Sequence, residues 1–391
     1  MKKSVLLIWT LILVDLLSGL LLIVQFPFAR IGLVIKGIVL ILVFVSYLAR
    51  LRQKSFKSIY TSLFILLSFW IVGLFTSLFN YSSFSYGESL VVLIRYFFLL
   101  IISCAFLDWS ENDTFENECK KTFEIFFIIN NAFIFIGFIF NIKMFSTYDP
   151  YGEFGEGWRF GYKGLIWGQN AVAAIYTLGI AYFFRENFKY HQPKMLALVI
   201  TCIASILVGT KATWFTLILI GAYYLYKYRI KTLIILVVPA LMGVAYCFVL
   251  YWSFLKDKYL SFMVNKYEES DLITFLTSSR DGLLSSALNH IYKDWIPLNF
   301  ITGDAISYVE MDFFDLYFYF GLASFIYLYV YTKIFFIKDR SDDNKYFFLV
   351  WTAMAFFAGH IINSAIVPVF FLLFVFSSHT EKKRLTCTVK I

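Results

Sequence analysis

Repeated apolar runs of membrane-spanning length constrain this chain more than any other feature. A helix needs about 20 apolar residues to cross a bilayer. Hydrophobic residues make up 60% of the chain and charged residues 15%, far from the balance of a soluble domain. The sequence therefore predicts an all-α polytopic membrane protein. Twelve spans are predicted, at 5–24, 31–49, 59–79, 89–107, 123–140, 165–184, 195–209, 212–227, 232–251, 313–335, 345–360 and 361–378.

Two pairs of predicted spans are short and tightly joined. Each of the pairs 195–209/212–227 and 345–360/361–378 could be a hairpin or one broken helix, so the expected number lies between ten and twelve. The first run follows two lysines but is long enough to span, and no small-residue cleavage site comes after it. We therefore expect a retained first helix and not a signal peptide.

The distribution of Lys and Arg predicts the orientation. With the N-terminus in the cytoplasm, the inner segments carry 22 of the 34 Lys and Arg residues and the outer segments carry 11. Positive charge favours the cytoplasmic side, so both termini are predicted to be cytoplasmic in a multi-pass protein of the cytoplasmic membrane. The net charge of +8 is interpreted as this topology and as contact with anionic membrane lipid, not as affinity for nucleic acid.

One polar stretch of 61 residues, 252–312, interrupts the apolar pattern. The predicted organisation is nine transmembrane helices over 1–251 with an outer loop at 141–164, then this large late extracytoplasmic loop. Three more transmembrane helices (313–380) and a cytoplasmic tail (381–391) follow. Since little other soluble mass is available, reactive groups are expected in the late loop or at the outer ends of the helices.

The late loop is predicted to contain an amphipathic helix over 278–292. The triplet 279–281, Ser-Arg-Asp, is typical of a helix N-terminus with Ser or Asp as the cap. Apolar residues recur behind it at helical spacing, namely Leu283, Leu284, Ala287, Leu288 and Ile291. A turn is expected over 296–303.

Three candidate acid–base groups lie in the same loop: His290, Glu310 and Asp312. A side chain that accepts a proton must come within hydrogen-bond reach of the reacting group. Each candidate also has an ordinary interpretation. A single His is often structural or solvent-facing, and acidic residues at a helix start stabilise its dipole.

The outer loop 141–164 is rich in Gly and Tyr and has Trp158, Arg159 and Lys163 near its end. Aromatic rings beside charged groups suit carbohydrate, because a ring stacks on the apolar face of a sugar while polar groups bind its hydroxyls. A belt of aromatic residues at the membrane interface has the same composition. The sequence leaves both interpretations open.

Ionisable residues at the membrane boundary suggest an anionic substrate. Arg95 lies inside a predicted span and Lys211 at an outer turn between two spans, although a charge in a span costs about 2.5–3.5 kcal/mol on insertion scales. With Arg159 and Arg280 they are predicted to form a cationic cluster at the depth of a lipid pyrophosphate headgroup, which Arg binds well. Arg95 could instead pair with Glu88 or extend its side chain to the interface.

Several other classes of site are not indicated. All five cysteines fall in predicted spans or on the inner side, so no external disulfide is expected. The sequence contains no metal-ligand spacing, Walker loop or dinucleotide-binding fingerprint. We therefore expect no cofactor and no metal, and neither an ATP-driven pump nor an enzyme with a cytoplasmic nucleotide-sugar domain.

These features together resemble Wzy-type polysaccharide polymerases of the O-antigen ligase/polymerase superfamily. The resemblance covers nearly the whole chain, mostly as topology. Locally, Arg159 followed by Gly168, Gln169 and Asn170 is similar to the family's Arg and Asn segment. Further segments are similar in order and spacing: 208–213, with Lys211 where Arg is usual, 277–280, 301–303 and 309–312 leading into Asp315 and Gly321.

The resemblance implies a GT-C-like fold and a metal-independent reaction. A growing glycan on undecaprenyl pyrophosphate would be transferred to the non-reducing end of one lipid-linked oligosaccharide repeat unit. Arg159 and Arg280 would stabilise the leaving pyrophosphate, and Glu310 or Asp312, or else His290, would accept the acceptor's proton. Arg95, Lys163, Lys211, Asn170 and Trp158 would bind substrate, and a chain-length regulator and a flippase are expected partners.

Two other functions remain open. A ligase would use the same chemistry with a different acceptor. A lipid-linked oligosaccharide flippase or other carrier belongs to a different class, and it should show internal repeats and polar, broken helices at the membrane midplane. No repeat is evident here, and the polar residues gather toward the predicted outer side.

Overall fold

The computed structural model describes most of the chain, namely residues 3–23, 31–48, 54–80, 86–148, 160–228, 268, 274, 277–305, 309–359, 361–362, 364 and 366–378. Across these residues the only regular secondary structure besides helix is one isolated antiparallel bridge between Ser146 and Tyr162. The all-α class is thus confirmed for this part of the chain. The predicted span 232–251, most of the first half of the late loop and the tail 381–391 lie outside the described residues.

Fourteen α-helices occur in the described ranges, and we number them in chain order. They are α1 (Lys3–Ile23), α2 (Ile31–Leu48), α3 (Lys54–Asn80), α4 (Tyr86–Trp109), α5 (Phe115–Phe140), α6 (Gln169–Phe184), α7 (Met195–Leu207), α8 (Lys211–Lys227), α9 (Arg280–Asp294), α10 (Pro297–Thr302), α11 (Asp312–Phe320), α12 (Ser324–Phe335), α13 (Asp342–Ala358) and α14 (Val367–Phe376). Each predicted span that is described contains a helix.

Five helical segments are long and apolar enough to cross a membrane. They are Lys3–Leu22, Lys57–Leu78, Gly87–Trp109, Phe115–Phe140 and Asp312–Phe335. Shorter apolar helices occur within α2, α7 and α14. Helices of this kind satisfy their own backbone hydrogen bonds, which a hydrocarbon environment requires, so the membrane class predicted from composition agrees with the structure.

The chain forms two compact units, which we describe separately. Unit 1 comprises Met1–Phe126 and Ser279–Ile391, and unit 2 comprises Phe127–Ser278. In unit 1, α4 packs against α2 and α14, while α3 packs against α10, α11 and α12. In unit 2, α6 packs against α7 and α8 and is buried along almost its whole length.

Glycines with positive φ mark the breaks between neighbouring helices. α11 and α12 are separated by a short 3-10 turn, Gly321–Ala323, in which Gly321 has φ +55°. α7 and α8 are separated at Gly209, with φ +73°. The pair 195–209/212–227 is therefore two helices joined by a tight turn. Of the two arrangements that the sequence left open, this is the hairpin and not one broken helix.

The late loop departs from its prediction in three details. α9 begins at Arg280 as the Ser-Arg-Asp triplet indicates, but Ser279 has φ +69° and its side chain makes no capping hydrogen bond, so the predicted Ser cap is wrong. Leu283 and Leu288 of the expected apolar face are exposed. The expected turn 296–303 contains the six-residue helix α10, which starts at Pro297, where a missing N–H costs nothing.

Gly321→Ala tests the break between α11 and α12. A Cβ atom at Gly321 would overlap the carbonyl group of Ile301, and its φ disfavours any other residue. We expect the variant to lose about 3 kcal/mol or more of unfolding free energy, measured by thermal denaturation of the purified protein in detergent. Gly37→Ala is the control, since a Cβ there meets open space within α2. Equal melting temperatures for the two variants would contradict this account.

Candidate functional site

The ten residues predicted to form the site fall into three groups. Trp158 and Arg159 lie outside the described residues. Unit 1 and unit 2 each contain part of the remainder. Those in unit 1 are Arg95, Arg280, His290, Glu310 and Asp312, and those in unit 2 are Lys163, Asn170 and Lys211.

Arg280 is the first residue of α9 and is only 8% exposed. A cation is disfavoured in the first turn of a helix because the helix dipole is positive there, and burial further lowers the pKa of this guanidinium. Carboxylates compensate for both effects. Its Nη2 lies 3.5 Å from Oε2 of Glu310, and the charges of Asp312 and Asp315 also favour the protonated form.

Glu310 is held in a strained conformation. Its φ is +60°, which non-glycine residues adopt rarely and which recurs at functional sites. Gly359 follows α13 and approaches so closely that a Cβ atom there would overlap the carbonyl oxygen of Glu310. The Glu310 side chain remains 37% exposed. The pair thus joins a buried guanidinium to a carboxylate that solvent or a ligand can reach.

Two further carboxylates lie in the first turn of α11 and bind backbone. Oδ2 of Asp312 accepts hydrogen bonds from the N–H groups of Ile361 (2.7 Å) and Ile362 (2.9 Å). Oδ1 of Asp315 accepts one from the N–H of Val309 at 2.5 Å. Asp312 is fully buried, so its position suits holding the surrounding chain better than receiving a substrate proton.

His290 lies between two carboxylates in the last turns of α9. Its Nδ1 is 2.8 Å from Oδ2 of Asp294, and its Nε2 is 3.4 Å from Oδ2 of Asp304. The hydrogen bond to Asp304, aided by Asp294, raises the pKa of His290. Asp304 is fully buried and also accepts a hydrogen bond from Nε1 of Trp295 at 3.0 Å. Both ring nitrogens of His290 therefore face acceptors.

The apolar side of α9 docks onto the chain around α11. Leu284, Ala287 and Ile291 pack against a buried cluster formed by Trp295, Val309, Met311 and Phe318. This confirms three of the five residues on the predicted apolar face. It also explains how the sequence-distant Arg280 and Glu310 meet, because the same cluster holds Val309 next to Glu310.

Arg95 lies half-buried within α4, as predicted, and close enough to Lys36 for their charges to interact. Lys36 lies inside α2, within the predicted span 31–49, and its pairing was not recognised from the sequence. It is almost fully buried and pairs with Asp15 of α1. The sequence of 31–49 is that of an ordinary apolar span. It gives no sign of this pair, because the partner of Lys36 lies on another helix.

In unit 2, the segment 160–164 packs against the turn that begins α8. The N–H of Tyr162 donates to the carbonyl oxygen of Leu207 at 2.8 Å. A Cβ atom on Gly209 would overlap the carbonyl oxygen of Phe160. The segment after Arg159 and the turn leading to Lys211 are therefore direct neighbours.

Lys163 is buried and forms a cation–π contact with Trp167, a residue that the sequence reasoning missed. Its Nζ lies 4.3 Å from the centroid of the Trp167 ring, which is 40% exposed. Asn130 of α5 fixes this loop, since its Oδ1 accepts from the N–H of Leu165 (2.9 Å) and its Nδ2 donates to the carbonyl oxygen of Lys163 (3.3 Å). Asn170, in the first turn of α6, is half-buried.

No family model, curated protein or solved structure matches this chain. In the described part of the chain, no group of three or more His, Cys, Asp or Glu side chains is arranged to hold a metal ion.

The buried Lys36–Asp15 pair predicts non-additive stability. Lys36→Met alone leaves the part-buried carboxylate of Asp15 without its cation and is expected to cost about 3 kcal/mol. The double variant Asp15→Leu/Lys36→Met removes both charges and should recover most of that loss, because an apolar pair can replace an ion pair at little cost. Denaturation of the detergent-solubilised variants measures this. A double variant less stable than either single variant would contradict the pairing.

Proposed function

We propose that this protein polymerises undecaprenyl-pyrophosphate-linked oligosaccharide repeat units into a surface polysaccharide on the outer face of the cytoplasmic membrane. The growing chain is transferred to the non-reducing end of a new repeat unit. The proposal includes the finer topology expected from the sequence, with about twelve spans, cytoplasmic termini and a GT-C-like arrangement. No family assignment supports it, so it rests on the sequence resemblance and the chemistry of the candidate residues.

The observation that carries the proposal is the Arg280–Glu310 pair at the start of a membrane-length helical segment. Glycosyl transfer from a pyrophosphate needs a cation near the leaving group and a base near the acceptor hydroxyl. Arg280 and Glu310 supply one of each within 3.5 Å. The segment that starts at Asp312 is apolar enough to span a membrane. Its first residues would therefore lie at the membrane surface, at the depth of the headgroup of a lipid-linked substrate.

The reaction breaks one bond and forms another. The acceptor oxygen bonds to the anomeric carbon of the growing chain, and the bond from that carbon to the pyrophosphate oxygen breaks. Glu310 takes the hydroxyl proton and later gives it to water, while the electron pair of the broken bond leaves on the pyrophosphate. Arg280 stabilises that charge by bidentate hydrogen bonds.

Competition for Arg280 links binding to base activation in this proposal. In the structure the guanidinium already faces Glu310, Asp312 and Asp315. A pyrophosphate therefore gains Arg280 by displacing Glu310, the exposed partner, since Asp312 and Asp315 are held by backbone hydrogen bonds. Displacement frees the Glu310 carboxylate to accept a proton.

We assign substrate binding to the candidate residues of unit 2. Trp167 offers an exposed ring for a sugar face, with Lys163 beside it. Lys211, Asn170, Trp158 and Arg159 remain in the proposal as binding or charge-stabilising residues. The packing of 160–164 against the turn at Gly209 supports a common role for the Arg159 and Lys211 motifs.

A lipid-linked oligosaccharide carrier is the second candidate function. Discontinuous helices and buried charges are typical of carriers. The break at Gly321–Ala323 within a membrane-length segment and the Lys36–Asp15 pair are two such features. A carrier leaves its substrate chemically unchanged, so analysis of glycan length separates the two functions.

Arg280→Ala is expected to stop elongation while leaving the protein in the membrane, so that single-repeat lipid-linked glycan accumulates. Loss of a charge-stabilising donor costs on the order of 100-fold or more in rate. Lipid-linked glycans extracted from membranes and separated by length provide the measurement. Lys293→Ala, an exposed cation on the same helix, is the matched control and should support full-length polymer. Long polymer made by the Arg280→Ala variant would rule out the assigned role.

Glu310→Gln removes the proposed base but keeps a hydrogen-bond partner for Arg280. We expect elongation to fall by about 10²–10⁴-fold, with lipid-linked substrate still bound by the purified variant. Initial rates of glycan extension measure the effect. Asp342→Asn, at a highly exposed carboxylate on α13, should be neutral. Wild-type rates in Glu310→Gln would exclude Glu310 as the base.

A further inference from the structure

We infer that His290 is a positioning residue, which clamps α9 onto Asp304 and thereby places Arg280 beside Glu310. The inference rests on the proposed function for its effect on elongation, but the clamp itself is a property of the fold. It gives His290 a role different from that of proton acceptor, which the sequence left open.

Asp304 is a fixed anchor. It is fully buried, and its carboxylate accepts a hydrogen bond from Trp295 Nε1. Its backbone is held from two sides: its N–H donates to the carbonyl oxygen of Phe318 in α11 at 2.9 Å, and its carbonyl oxygen accepts from Ser77 Oγ in α3. A group bonded to Asp304 is therefore tied to α3 and α11.

α9 connects this anchor to the candidate site. His290 and Arg280 are ten residues apart on one helix, or about 15 Å at 1.5 Å per residue. Between them Leu284 and Ala287 supply apolar packing, which is not directional. The contact of His290 with Asp304 adds a directional restraint, so it fixes how far along its axis α9 lies and where Arg280 is presented.

The charge on His290 strengthens the clamp. A buried carboxylate without a cation is costly, and in the described elements the charged groups facing His290 are Asp294 of its own helix and Asp304. The residues of α3 and α11 that contact Asp304, Ser77 and Phe318, are both uncharged. Protonated His290 donates from both nitrogens and meets both carboxylates.

The pH dependence follows from the direction of the pKa shift. The pKa of His290 is raised in the folded protein, so its stabilising contribution is complete below the ordinary value of about 6.5. That contribution is lost as the pH rises through the higher folded-state value. We expect the clamp to loosen as the pH rises through that folded-state pKa.

His290→Gln tests the clamp in the full-length protein in lipid nanodiscs. The expected result at pH 6.5 is several-fold faster hydrogen exchange of the α9 amides, corrected for intrinsic rates, and a loss of elongation of roughly tenfold or more. The pH dependence of exchange seen in the wild type between pH 6 and 8.5 should disappear. Asn289→Ala, an exposed neighbour on α9, is the control and should match the wild type.

His290→Lys is the conservative variant that separates positioning from proton transfer. A lysine keeps a cation near Asp304 at all these pH values, so exchange and elongation should return toward wild type with a flatter pH profile. Wild-type exchange in His290→Gln would overturn the inference. Exchange restored by Lys without elongation would also overturn it, because His290 would then act in the chemistry.

If the wild-type protein shows no elongation, the proposed function fails. The hydrogen-exchange data alone then decide whether His290 holds α9 on Asp304.

Discussion

The burial of one guanidinium, that of Arg280, organises the described part of unit 1. A buried cation needs nearby carboxylates, because desolvation costs several kcal/mol per ion if it is not compensated. Glu310, Asp312 and Asp315 provide that compensation, and backbone N–H groups of two different segments hold Asp312 and Asp315. The docking of α9, the positive φ of Glu310 and the close approach of Gly359 all accompany this arrangement of charges.

Polar groups also determine how the chain turns in unit 2. The loop that contains Lys163 lies outside the helices, and one isolated bridge and a few backbone hydrogen bonds satisfy only part of its backbone. The Asn130 side chain supplies the missing donor and acceptor, and Tyr176 continues the network by bonding to both Asn130 and Asn131. Asparagines within an apolar helix thus define the loop that presents Lys163 and Trp167.

Local sequence signals were sufficient for the helices but not for the site. Apolar runs and Leu spacing predicted the described spans and α9 because these depend on neighbouring residues. Asp304 and Gly359 gave no local signal, since their roles come from Trp295, His290 and Glu310, which the fold brings to them. The pairing of Lys36 was missed for the same reason: its partner Asp15 lies on another helix. Glu310 and Arg280 were both candidates from one loop, but the sequence did not predict their pairing, which depends on how α9 packs.

The central claim is that this chain joins lipid-linked repeat units by itself, and the most direct measurement uses only the wild-type protein. Purified protein in lipid nanodiscs would be supplied with an undecaprenyl-pyrophosphate-linked oligosaccharide repeat unit prepared from its own host, with no nucleotide sugar or added metal. The account predicts a ladder of lipid-linked glycans that differ by one repeat, with release of undecaprenyl pyrophosphate. Glycan that stays at one repeat in nanodiscs, together with its movement across the membrane of sealed vesicles that contain the protein, would contradict it and favour the carrier.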